Sequence, residues 1–247
     1  ICYHNKDVKI YVLNRDILPD WFRKPRRMAQ LLGGELIDVK LNPDDVRDTW
    51  WTQEHISLDA YSRYFIPKYI SEEKVLYLDA DLLVLKNLED IFEIDMKSYP
   101  IAAVMDTDNQ SFNSGVLLID NGLWKRENMT EQLVNETNGS LRQALEGNIP
   151  KFNGDQTIFN KVFRDRWLAL DKRMNLQVGH DVTAFMSHWP NHFKDSEDPY
   201  VVHFVSHRKP WATLRANSFR HLWWAFHDMD YSQVLSHHMG DFQTALD

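Results

Sequence analysis

Apolar residues in this chain come in short runs of strand length, and between them lie longer segments whose apolar positions recur with helical spacing. "VKIYVL" (8–13) reads as a strand, "WFRKPRRMAQLLGG" (21–34) as a helix stopped by its two glycines, and "ELIDVK" (35–40) as the next strand. In "ISLDAYSRYFIPKYI" (56–70) Ser57 is placed to cap a helix, and Leu58, Tyr61 and Phe65 share a face as far as Pro67. "KVLYL" (74–78), "IAAVMD" (101–106) and "SGVLLID" (114–120) read as buried strands. Residues 123–146 are helical in tone but broken by "NGS" at 138–140, and "GDQTIFNKVF" (154–163) is a helix carrying Asp155 at its start. A loop-rich stretch (175–199) precedes a short strand, "YVVHF", and "SFRHLWWAFHDMDYSQVL" (218–235) closes the pattern as one amphipathic helix. Alternation of this kind predicts an α/β fold, a mostly parallel central sheet flanked by helices.

No repeat, low-complexity tract or linker divides the chain, so 1–247 is expected to form a single domain. Its 247 residues, 43% of them hydrophobic, suffice for one sizeable core. The formal net charge of -8 works against nucleic acid and anionic lipid surfaces as partners. The single cysteine, Cys2, excludes an intramolecular disulfide framework and fits a reducing, cytoplasmic setting. No apolar run reaches the roughly 18 residues a transmembrane helix needs. The opening "ICYHNKD" lacks the parts of a signal peptide, and the absence of an initiator Met leaves open that the sequence is a piece of a longer chain.

Composition names no chemistry; "YLDADLLV" does. Asp79 and Asp81 follow a strongly apolar strand and would share a face if that strand ran on. An unpaired carboxylate in a dry core costs several kcal/mol or takes up a proton. The pair is therefore expected at the strand's C-terminal end, where open α/β sheets place ligands and where two hard oxygen donors can hold one divalent cation. Alone, the tripeptide is better read as one aspartate capping a turn and the other solvated. Three further constellations follow: Asn113, Ser114 and Gly115 in "FNSGVLLID"; Asp155 and Gln156 in "GDQTIFN"; and His203, His207, Arg208 and Lys209 in "HFVSHRKPW". Each has a plain reading of its own, as an Asx turn, a helix cap and a solvated basic loop.

In this order the four motifs resemble the retaining glycosyltransferases of glycosyltransferase family 8, and their style is most similar to bacterial members. The resemblance runs from about residue 8 to 211, leaving 212–247 as a C-terminal helical extension of the catalytic core 1–211. It implies a GT-A type nucleotide-diphosphosugar transferase fold, a UDP-sugar donor and Mn²⁺, with Mg²⁺ as the alternative. Asp79, Asp81 and His203 match the metal ligands. Lys209 matches the lysine on the donor diphosphate and Arg63 an arginine that contacts the donor. Asp106, Asn113 and Asp155 match positions that hold hydroxyls of the sugar, with Ser114 and Gly115 beside them, and Gln156 matches the glutamine near the anomeric carbon.

The implied reaction moves a hexose, glucose or galactose, to a hydroxyl of a glycan, a lipid-linked saccharide or a glycoprotein, with front-face attack preferred because an amide oxygen is a weak nucleophile. A homo-oligomer is left open, and a non-catalytic sugar- or partner-binding module on the same scaffold is the alternative. Trp50, Trp51, Trp189 and Trp211 are candidates for an acceptor groove. Two departures stand out. Ser206 replaces a glycine common in the last motif, and the strand that holds the nucleoside in this family is expected upstream of residue 1.

Overall fold

A computed structural model describes residues 1–50, 57–150, 154–179, 198–205, 207–212 and 218–244. Trp51, Trp189 and Ser206 lie outside the described residues. The strands are β1 (Lys9–Asn14), β2 (Glu35–Lys40), β3 (Lys74–Leu78), β4 (Leu82–Val84), β5 (Ile101–Met105), β6 (Phe112–Asp120), β7 (Trp167–Ala169), β8 (Leu176–Val178) and β9 (Val201–Phe204). The helices are α1 (Arg23–Leu31), α2 (Ile66–Tyr69), α3 (Glu89–Phe92), α4 (Asn121–Arg126), α5 (Met129–Leu145), α6 (Asp155–Val162), α7 (Arg220–Asp228) and α8 (Tyr231–Thr244).

The central sheet has the order β3-β6-β5-β7. β6 runs against both neighbours and β5 lies parallel to β7, so three of the four strands point one way. Alternation sorts its side chains into two layers. Tyr77, Ile101, Ala103, Leu117 and Ile119 face a core closed by Tyr61, Tyr64, Trp124, Leu133 and Phe159 from the surrounding helices. Leu76, Leu78, Ala102, Val116 and Leu118 face the opposite layer, with Val84, Ile91 and Val201. Buried along nearly its whole length, β6 carries the apolar run Val116–Ile119 behind the polar Asn113 and Ser114.

A second sheet, β4-β9-β8, shares this second layer, while β1 and β2 form a parallel pair of their own. β1 and β3 both line one large cavity of about 2450 Å³. Tyr11 on β1 reaches across to Glu72, just ahead of β3, with a 2.6 Å hydrogen bond.

Local propensity yields to packing in four places. The "NGS" break does not occur: α5 runs through Gly139, because Leu133, Thr137 and Ser140 bury one face and outweigh the roughly 1 kcal/mol cost of a helical glycine. Ser57 caps its helix as expected, accepting from the Asp59 N–H at 3.1 Å, but Leu58–Phe65 winds as 3-10 helix before α2. β8 falls within the stretch read as loop, made a strand by its parallel ladder with β9. The closing segment is two helices. Met229 is extended and Asp230 accepts the Gln233 N–H at 3.0 Å, starting α8 afresh. α8 packs back on the start of the chain, where Val234 and Leu235 meet Cys2, Tyr3 and Leu32.

Candidate active site

β3 ends at Leu78, and the chain there leaves the central sheet to enter the second one as β4. Asp79 still donates its N–H to Gly115 O at 2.8 Å, while Asp81 O already accepts from Phe204 N at 3.0 Å. The antiparallel ladder sets Leu82 opposite His203. The two aspartates thus occupy a switch between sheets, and β9 delivers a histidine to them from far along the chain.

His203 Nε2 lies 3.1 Å from Asp81 Oδ1 and 3.7 Å from Asp79 Oδ2. Among the described residues this is a cluster of three groups whose ligand atoms all fall within 4.8 Å of one another. Asp81 Oδ1 is buried and makes no hydrogen bond. Its other oxygen accepts from Lys209, which also donates to Phe204 O. Burial works to raise the Asp81 pKa, but His203 and Lys209 hold the carboxyl well below the usual range, so it is an anion. Two hard carboxylate oxygens and one imidazole nitrogen, with a buried oxygen left over, fit a divalent cation such as Mn²⁺ or Mg²⁺.

Behind the aspartates lies a second charged group. Arg63, 3% exposed, pairs through Nε with Asp155 Oδ2 at 2.8 Å and approaches Asp79 Oδ1 at 3.4 Å. It also donates to Ser114 O and stacks 4.6 Å from the Tyr77 ring centre. Tyr77 donates its hydroxyl to Asp79 Oδ1 at 2.6 Å. Arg63, matched above to a donor contact, thus holds the two carboxylates together and also lines the cavity.

Asp155 sits at the first turn of α6, not at its cap. Gly154 takes the cap position with φ 81 and ψ -159, a conformation open to glycine alone. Burial pushes the Asp155 carboxyl up to about 6, against the pull of Arg63 and with a smaller push from Asp79. An unfolded aspartate titrates near 3.9, so between about pH 4 and pH 6 the folded chain holds the extra proton and loses about 3 kcal/mol of stability as the pH rises. Asp155→Asn should remove that fall, read from urea unfolding of the metal-free protein at the two pH values. An unchanged slope would exclude Asp155 as its source.

Between Ala103 and Val104 the β5–β6 register shifts, pairing Ala103 with Leu117 but Val104 with Asn113. The bulge frees Ser114 and Gly115 from that ladder, as bulges beside active sites commonly do. Gln156 Nε2 donates to Asp106 Oδ2 at 2.6 Å, and its Oε1 accepts from Ser114 N at 3.1 Å and Asn113 Nδ2 at 3.3 Å. Gly115 admits the His203 ring: a Cβ there would lie 2.0 Å from His203 Cε1.

Asp79, Asp81, His203 and Lys209, together with Asp106, Asn113, Ser114, Asp155 and Gln156, line the large cavity. His207 is exposed and is not among the three residues of the cluster. Of the tryptophans, Trp50 is in the core and Trp211 borders the cavity, 44% exposed. Tyr77 and Asn175 were not singled out from the sequence. Tyr77 shares the Asp79 face by alternation, a signal present in "YLD"; Asn175, in a stretch read as loop, carried none.

Comparison with known proteins agrees with this geometry. The family profile described as Glycosyl transferase family 8 matches residues 1–215. Glycosyltransferase GlyD of Streptococcus pneumoniae is 53% identical over 243 residues, 98% of this chain and 30% of GlyD. GlyF of the same organism is 36% identical over 239 residues, 95% of this chain and 58% of GlyF. The crystal structure of GlyE from S. pneumoniae aligns with a TM-score of 0.81 at 34% identity, covering 97% of this chain and 58% of that one. The chain therefore spans less than two thirds of each. The galactosyltransferase LgtC, crystallised with donor and acceptor sugar analogues, shares the fold with a TM-score of 0.67 at 22% identity, covering 85% of this chain and 81% of LgtC. Among the described residues no helix is long and apolar enough to cross a membrane. With a matching profile across most of its length and a GT-A type fold built around an Asp-Asp-His cluster, this chain belongs to glycosyltransferase family 8.

Proposed function

We propose that the chain is a retaining hexosyltransferase domain, with 1–211 as its core and 212–247 as a helical extension, which moves glucose or galactose from a UDP-sugar to a hydroxyl of a glycan, lipid-linked saccharide or glycoprotein. The observation that carries this reading is the buried, unsatisfied Asp81 Oδ1 facing His203 and Asp79 beside a cavity lined by further polar groups. Asp79, Asp81 and His203 would hold Mn²⁺, or Mg²⁺, which when bound supplies the positive charge that favours departure of the diphosphate.

The protein's own groups account for the rest. Lys209 is held at Asp81 and Phe204 O, within reach of an anion arriving at the cluster, and adds a second positive charge there. Asp106, Asn113 and Asp155 orient the hexose through its hydroxyls. Gln156 Oε1 already accepts from Ser114 and Asn113, which makes a neutral amide oxygen a poorer nucleophile still. That supports front-face transfer, in which the bond from the anomeric carbon to the diphosphate breaks as the acceptor oxygen arrives on the same face and the departing oxygen takes its proton. Buried, unpaired Cys2 suits a reducing, cytoplasmic setting.

Hydrolysis of UDP-glucose and UDP-galactose, measured with added Mn²⁺ and again with a chelator, tests the assignment. Turnover of one donor that needs the metal is expected. Turnover unaffected by the chelator overturns it, and metal-linked UDP binding without turnover, in a protein extended to the length of its relatives, favours the non-catalytic sugar-binding alternative.

A further inference from the structure

We infer that Asn175 is a positioning residue that fixes the tautomer of His203 and ties the cation cluster to the sugar-facing amides, an inference that rests on the reading of Asp79, Asp81 and His203 as a cation site. Asn175 is 1% exposed and lies where β8 begins, 28 residues before His203 and 62 after Asn113. Its two amide atoms face different partners. Nδ2 lies 2.9 Å from Asn113 Oδ1, and Oδ1 lies 3.1 Å from His203 Nδ1.

The direction of each bond follows from groups that can act in only one way. The Gly115 N–H, a donor alone, points at Asn113 Oδ1 from 3.0 Å, and the Ser114 N–H points at Gln156 Oε1 from 3.1 Å. Those two oxygens are therefore acceptors. Asn113 presents its Nδ2 to Gln156 Oε1, and Gln156 presents its Nε2 to Asp106 Oδ2. Asn175 must in turn offer Nδ2–H to Asn113 Oδ1, because its own oxygen there would set two acceptors face to face. Its Oδ1 is then left for the imidazole, which can meet it only by donating from Nδ1–H.

With a proton held on Nδ1, Nε2 is the nitrogen turned toward Asp81 and Asp79, free to give up any proton it carries in exchange for a cation. An oriented series of amides thus runs from Asp106, through Gln156, Asn113 and Asn175, to the imidazole. Free histidine favours the opposite tautomer, with the proton on Nε2, so Asn175 reverses an intrinsic preference. Gly115 completes the arrangement, since it both donates to Asn113 and makes room for the His203 ring.

Nitrogen-15 NMR of the metal-free protein at alkaline pH, with the His203 signals assigned by their loss in His203→Gln, reads the tautomer directly. The expected spectrum has a protonated, pyrrole-type Nδ1; a pyridine-type Nδ1, bare of its proton, overturns the proposal whatever the enzyme's substrate proves to be. Asn175→Leu should lose the Nδ1–H tautomer and weaken Mn²⁺ binding by about 10- to 100-fold, followed calorimetrically. Asn175→Asp keeps an acceptor for Nδ1–H but no donor for Asn113. It should preserve the tautomer and the Mn²⁺ affinity while losing donor-sugar turnover, a split that a merely structural role would not produce. Unchanged Mn²⁺ affinity in folded Asn175→Leu, or loss of the tautomer in Asn175→Asp, counts against the assignment. Absence of Mn²⁺ binding in the unaltered protein defeats the cation reading alone, leaving the tautomer result to stand or fall separately.

Discussion

Asp81→Ala is expected to lower Mn²⁺-stimulated UDP-sugar turnover by about 10²- to 10³-fold or more, the range seen when a preorganised electrostatic group is removed from an active site. Three contacts converge on this residue. Its Oδ1 faces His203 Nε2, its Oδ2 accepts from Lys209, and its backbone oxygen joins β4 to β9 through the Phe204 N–H. Alanine keeps the last and deletes the other two, so the fold should survive. Removing the carboxylate also leaves the largely buried Lys209 ammonium without its partner, so the thermal midpoint of the metal-free variant should fall modestly while the fold is kept. Asp81→Asn sharpens the test, because it keeps the shape and removes the charge. Both variants should lose Mn²⁺ binding in calorimetry. Turnover near the unaltered level in either would show that the Asp-Asp-His cluster is not the seat of the chemistry.

The second large effect belongs to a residue with no side chain. A Cβ at Gly115 would stand 2.0 Å from His203 Cε1, 2.6 Å from Nδ1 and 2.8 Å from Asp79 Oδ2. Real Cβ contacts are never so short, so something must move. β6 has little freedom at Gly115, since the strand is buried and Gly115 O is held by the Asp79 N–H, and His203 belongs to the middle strand of the second sheet. The ring itself is the part free to turn aside, and its bonds to Asn175 and its approach to Asp81 go with it. Gly115→Ala should therefore weaken Mn²⁺ binding at least about 100-fold, beyond the usual loss for a group that only supports a ligand. Crowding should also cost about 1–3 kcal/mol in urea unfolding. Wild-type affinity in this variant would mean that His203 is not a ligand.

Much of this was legible in the sequence where local periodicity and one-dimensional order sufficed. β2 and β3 fall on the residues where their apolar positions cluster, Leu36, Ile37 and Val39 in the one and Val75 to Leu78 in the other, because strand length and β-branched or aromatic content are read locally. Ser57 caps the helix it precedes, a contact between residues two apart. The placement of Asp79 and Asp81 at a strand end followed from the cost of burying charge. Where pattern and packing conflicted, packing prevailed. α5 continues through "NGS", the closing helix divides at Asp230, and β8 exists only because β9 offers it a ladder.

By itself, then, the sequence determined the alternating α/β order, the acidic pair at a strand terminus and the set of polar motifs that marks the family, all of which depend on neighbours along the chain. Tertiary structure alone decided the rest. It turned Arg63 inward to Asp155 and Asp79, set Gly115 under an imidazole, and seated Asn175 between Asn113 and His203. Those contacts join residues tens of positions apart through strand register and a bulge, and a hydrogen bond's direction depends on which donors surround it in space. No spacing in one dimension carries that information.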